Sequence, residues 1–144
     1  MKIENFEVMA LKIKLSEKKS CYSTSDSKWY GRMQLAGSIG TEELVRLMMA
    51  HGSIFTKGTI EGVIMDLAFN IRELVLQGHP VKIDDLAIFK LGMESDGVSD
   101  PRDFIPEESI RRFTLLTHPT GVMTSTKLTK EVLANGLEIS NSEI

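Results

Sequence analysis

Few residues of this chain have a type and spacing suited to covalent chemistry. His51, His79 and His118 stand 28 and 39 residues apart, a separation that makes no metal-ligand pattern. Cys21 is the single cysteine, so no intrachain disulfide can form, which fits a reducing compartment. Asp84-Asp85 is a carboxylate pair, but acid–base catalysis needs partners positioned around a cleft, and no nucleophile motif stands near it. No glycine-rich phosphate loop, Gly-x-Ser-x-Gly elbow or zinc spacing occurs anywhere. The expectation is a protein with no metal, no cofactor and no enzymatic activity. What remains is the chemistry of Lys and Arg, whose side chains contact phosphate oxygens.

Those cations are unevenly spread. The 144 residues carry 17 basic and 20 acidic side chains, a net charge of −3. Residues 1–32 have a balance of +3, residues 33–91 of −2, residues 92–112 of −3 and residues 113–144 of −1. The N-terminal part is therefore the basic end, and the segment from Glu94 to Glu108 is the most acidic. Hydrophobic residues make up 42% and charged residues 26%, ordinary values for a globular domain. No stretch reaches the ~18 apolar residues of a membrane span, and Met1-Lys2-Ile3-Glu4-Asn5 lacks the apolar run of a signal peptide. A cytoplasmic protein with no membrane partner is expected.

The elements that must position the cations follow from patterning. Leu11, Ile13 and Leu15 alternate with Lys12 and Lys14, which predicts a half-exposed strand over 8–15. Ser16 to Ser27 has no period and reads as a loop; Trp29 to Leu35 reads as a second strand, the two making an N-terminal hairpin. Thr41 is the expected N-cap of a first helix, with Glu42 and Glu43 in its first turn and Gly52 at its end. Thr56 should cap a second. There Ile60, Val63, Ile64, Leu67, Ala68, Ile71, Leu74 and Val75 form the clearest helical stripe in the chain. Met65, Phe69 and Leu76 fall outside that stripe, so this helix is apolar on more than one side, and a partner subunit is the expected cover. Gly78-His79-Pro80 breaks it. Val81–Ile83 and Ala87–Met93 read as two strands of a hairpin, residues 94–109 as an exposed loop or arm, and Ile110 to Thr117 as a further strand. His118-Pro119-Thr120-Gly121 reads as a turn. Ser125 or Thr126 should cap a short last helix through Leu133, closed by Asn135-Gly136, with a possible strand over Leu137 to Ser140. The layout is α+β.

The block from Thr41 to Leu91 resembles the HU/IHF family of bacterial histone-like DNA-binding proteins. The stretch Gly78-His79-Pro80-Val81-Lys82-Ile83-Asp84-Asp85-Leu86-Ala87-Ile88-Phe89 matches that family's helix-to-strand junction, with Asp85 and Ala87 replacing its two turn glycines. The chain is more similar to an HU-related variant branch with an N-terminal strand extension. The residues that carry this are Met9-Ala10-Leu11-Lys12, Lys28-Trp29-Tyr30, Ser38-Ile39-Gly40, Asp85-Leu86-Ala87-Ile88-Phe89 and Ser95-Asp96-Gly97-Val98 with Pro101 and Phe104, then Lys127 to Leu133. The resemblance covers roughly residues 9–140.

It implies an IHF-like fold: two helices forming a V on a β-sheet, a β-arm, a short C-terminal helix and an added N-terminal hairpin, in an intertwined homodimer. Residues 1–8 would be an extension, 9–140 one domain and 141–144 a tail. It implies a nucleoid-associated protein that binds or bends duplex DNA with little sequence preference. The residues it designates for DNA are Arg111 and Arg112, then Arg102, Lys90, Lys82 and Lys127. For the dimer they are Ile64, Met65, Leu67, Ala68, Phe69, Ile71 and Phe89. Pro101 and Pro106 are open to two readings, as wedges between base steps or as turn formers. The family's Arg-Asn-Pro arm tip is absent and the arm is acidic, against an affinity that depends on phosphate neutralisation. A protein-interaction or scaffold module that keeps the dimer fold is the competing expectation.

Overall fold

A computed structural model describes residues 10–20 and 23–140. Cys21, the residues up to Met9 and the 141–144 tail lie outside the described residues. The chain divides into two compact units, one from the N-terminus to Gly52 with the segment from Thr126 onward, the other from Ser53 to Ser125.

In the first unit, β1 (Leu11–Ser20) and β2 (Ser23–Met33) pair antiparallel, and β6 (Leu137–Ile139) joins β1 in parallel, giving the order β2-β1-β6. Both hairpin strands reach into the polar stretch expected as a loop. The ladder pairs Ser16 with Tyr30, Glu17 with Trp29, Lys18 with Lys28 and Lys19 with Ser27. A ribbon with polar residues on both sides leaves no period-two trace in the sequence, although its backbone pairs without interruption as far as Lys19 and Ser27. Helix α1 (Thr41–Ala50) begins one residue earlier than expected: Gly40 is the N-cap in extended conformation, without a side-chain bond, and Thr41 is already helical. Arg46 reaches back to Glu42 and Glu43 at 3.1 and 3.3 Å. The last helix, Ser125–Asn135, ends at Gly136 in the left-handed region, which costs glycine nothing.

In the second unit, α2 (Lys57–Leu76) is capped as expected, with Thr56 Oγ1 accepting the Thr59 amide. At its other end Gly78 has φ +86°, and the amides of Gly78 and His79 reach back to the carbonyls of Val75 and Leu74. This double bond pattern satisfies carbonyls that the helix end would otherwise strand. β3 (Val81–Ile83), β4 (Ala87–Ser95) and β5 (Ile110–Pro119) follow as an antiparallel sheet in the order β3-β4-β5. β5 absorbs His118 and Pro119, expected in a turn; they pair with Ile88 and Ala87. Proline is tolerated there because it closes an edge strand. The turn comes at Thr120 and Gly121 instead.

The segment between β4 and β5 is shaped more than an open loop would be. The Asp96 amide donates to the Ser109 carbonyl at 2.8 Å, closing the base. Inside the closure lie a 3-10 turn, Pro101–Asp103, and a single helical turn α3, Pro106–Ser109. Pro101 and Pro106 each open one of these turns, a position where the missing N–H costs nothing.

Candidate nucleic-acid interface

The register of the second sheet sorts its side chains into two chemically distinct faces. Val81 pairs with Phe89 and Phe89 with Thr117; Leu91 pairs with Leu115 and Met93 with Phe113. Alternate residues of a strand point the same way, so these make one apolar face. Lys82 pairs with Ile88 and Ile88 with His118; Lys90 pairs with Leu116 and Glu94 with Arg112. That second face carries the cations.

Three of the six residues designated for DNA, Lys82, Lys90 and Arg112, thus share one side of one sheet. Arg111 sits at the register irregularity beside Glu94 and Ser95, and Arg102 in the arm-tip turn. Lys127 belongs to the last helix, in the other unit. His118, expected in a turn, is a strand residue on the cationic face; only strand pairing could have put it there.

Most of these cations already have an acidic partner. Arg112 Nε donates to Glu94 Oε2 at 2.5 Å, across the strand pair. Arg111 is bonded to Asp96. Arg102 grips Asp100 with Nε at 3.1 Å and Nη2 at 2.7 Å, while the Arg102 amide donates to the same carboxylate at 2.9 Å. Lys82 Nζ lies 3.2 Å from Asp84. The Arg102 side chain, then its amide, holds the Asp100 carboxyl below the usual carboxylate range. Hydrogen bonds to Asp100 and Asp96 push the guanidinium groups of Arg102 and Arg111 up. Among the described residues Lys90 and Lys127 are in no ion pair. The acidic balance of the arm, plain in the sequence, acts here one arginine at a time.

The opposite, apolar face closes one wall of a trough of about 550 Å³ against α2. Ile64, Leu67, Ala68 and Ile71 line it from the helix, Phe89 and Leu115 from the sheet. Five of the seven dimer candidates meet here. Met65 and Phe69 do not line it; they are 71% and 61% exposed. Among the described residues only Val45, Ile60 and Val75 are buried hydrophobics, so most of the apolar surface of α2 has no cover from the described residues of its own unit.

Asp85, one half of the carboxylate pair, is structural. It takes φ +58° where the family pattern has glycine, and its Oδ1 accepts the Val122 amide at 3.1 Å. No group of three or more His, Cys, Asp or Glu among the described residues is arranged to hold a metal ion, and no described helix is long and apolar enough to cross a membrane.

Comparison with known proteins adds two findings. The model of the HU-HIG family, "HU domain fused to wHTH, Ig, or Glycine-rich motif", matches residues 9–133. A crystal structure of a candidate bacterial DNA-binding protein from Bacteroides vulgatus superposes with a TM-score of 0.60 at 14% identity, over 92% of this chain and 50% of that one. At that identity the likeness is one of fold, and the chain spans about half the length of the structure it matches. No curated protein matches the sequence.

Proposed function

We propose that this chain, which belongs to the HU-HIG family, is a non-enzymatic, HU-like protein whose 9–140 region binds duplex DNA as a homodimer. Binding is weak and has little sequence preference. The observation that carries this reading is the division of labour between the two faces of the β3-β4-β5 sheet: Lys82, Lys90 and Arg112 on one, an uncovered trough on the other. A second copy seated on the trough would bury its apolar lining and double the cationic face. Weakness follows from chemistry, since a guanidinium committed to Glu94, Asp96 or Asp100 must leave that acid before it can take a phosphate. Fewer free cations also mean fewer counterions released on binding.

A mobility-shift series on duplex, nicked and cruciform DNA between about 50 and about 200 mM salt tests the reading. Retardation that fades with rising salt supports it; no retardation near 50 mM rejects it. The pairing of all three arm arginines with acids favours one competing reading, a dimeric interaction module that has lost DNA. That module would sediment as a dimer, ignore DNA at every salt concentration and offer its acidic arm to a protein.

A further inference from the structure

The β1–β2 ribbon, in the first unit, has an unopposed basic face. Antiparallel pairing sets Lys14 opposite Arg32, Ser16 opposite Tyr30 and Lys18 opposite Lys28. Paired residues project to the same side of a sheet, and so do alternate residues of a strand. These six side chains therefore share one face, while Leu15, Glu17, Trp29 and Gly31 belong to the other. All four cations are exposed. Among the described residues none of them is in an ion pair. No acid holds a register position on this face between the two cation pairs; Glu138 lies beyond them, beside Lys12 at the ribbon's base.

Like charges directly across a strand pair destabilise it, and the ribbon does this twice within a span of about 13 Å, four residues at ~3.3 Å each. The arm sheet does the reverse, matching each arginine with an acid. Tyr30 stands between the two pairs, about half exposed, with Lys18 Nζ 5.8 Å from its ring centroid, within reach of a cation–π attraction. Among the described residues no third strand flanks β1 beyond Ile13, because β6 pairs only with Leu11, Lys12 and Ile13. A free two-stranded ribbon fits the major groove of B-form DNA. A lipid surface suits this ribbon less well: its large apolar side chains, Leu15 and Trp29, share their face with Glu17 and point away from the cations.

We infer that this face is a docking surface for duplex DNA. Lys14, Lys18, Lys28 and Arg32 take phosphate oxygens along the groove, and the Tyr30 hydroxyl donates one further hydrogen bond to the backbone. The inference does not rest on the arm sheet. It holds whether or not Lys82 and Lys90 touch DNA.

The test is fluorescence anisotropy of a labelled duplex with the full chain and three variants: K14Q/K18Q/K28Q/R32Q on the ribbon, K82Q/K90Q on the arm sheet, and K14R/K18R/K28R. Far-UV circular dichroism verifies that each is folded; these are exposed positions. The ribbon variant should bind at least about tenfold more weakly, with a salt slope smaller by up to about 3.6, since each phosphate no longer neutralised removes about 0.9. The arginine variant should keep wild-type affinity and slope. If the ribbon variant binds as wild type while K82Q/K90Q fails, this inference falls and the arm reading stands. If only the ribbon variant fails, the arm reading falls instead; no binding by the wild type overturns both. Loss of binding to pure phosphatidylserine vesicles with unchanged duplex binding would also overturn it, in favour of a membrane.

Discussion

Thr120 shows how much of this architecture hangs on single polar side chains. It is buried, its hydroxyl donates to the Ile83 carbonyl at 2.8 Å and accepts the Leu86 amide at 3.1 Å, so one oxygen closes the β3–β4 turn from the far end of β5. Thr120→Val keeps the shape and removes two hydrogen bonds, leaving the Leu86 amide and the Ile83 carbonyl only their mutual bond at 3.2 Å. It should cost about 1–3 kcal/mol, read as a lowered denaturation midpoint. Beside it, Asp85 occupies a left-handed position and Gly121 leaves room for it; a β-carbon on Gly121 would come within 2.9 Å of the Asp85 Cα. The family likeness showed that two turn glycines were missing, but only the coordinates show that Asp85 took over one of those roles and required a glycine elsewhere. Asp100 offers a pH test. Its carboxyl is held low by Arg102, so the arm-tip turn it caps is kept at neutral pH. The cap is lost only as pH falls below the ordinary carboxylate value of about 3.9. The Arg102 amide resonance should follow that titration, with a midpoint below that of an exposed aspartate.

Among the elements, α2 was the most legible. Its stripe, its Thr56 cap and its Gly78 stop are local signals, and each is where periodicity puts it. The hairpin of Val81–Ile83 with Ala87–Met93 was legible for the same reason, though β4 runs on to Ser95. The β1–β2 ribbon was half hidden, because Ser16 to Lys19 pair with Ser27 to Tyr30 through backbone groups while the sequence there follows no alternation. The cross-strand ion pair was hidden altogether: Glu94 and Arg112 are 18 residues apart and meet only through the register of β4 and β5. The trough on α2 carries a prediction of its own. Leu67→Asp places a charge among Ile64, Ile71 and Phe89, so sedimentation velocity should show the dimer giving way to monomer, with helix content retained. A wild-type chain that remains monomeric at high concentration would remove the homodimer from the proposal.

For the molecule as a whole, the proposed function makes the arm's acids a brake on phosphate binding. Replacing Glu94, Asp96 and Asp100 by their amides (E94Q/D96N/D100N) releases Arg112, Arg111 and Arg102 together. DNA affinity should rise, and the salt slope should steepen by up to about 2.7, at about 0.9 for each arginine that reaches a phosphate. An unchanged slope would mean that those arginines never face DNA, and the interaction-module reading would gain.

The parallel pairing of β6 with β1 has a topological corollary. Leu137 lies beside Leu11, and the Ser140 amide bonds the Ile13 carbonyl at 2.8 Å, so both extremities of the described chain emerge from adjacent strands. In a chain trimmed to residues 10–140, a short glycine-serine tether could join them, and the backbone could be reopened at the exposed Gly97, giving a circularly permuted protein with its hydrogen-bond ladders intact. Any cargo grafted onto either extremity would likewise ride at the root of the basic ribbon.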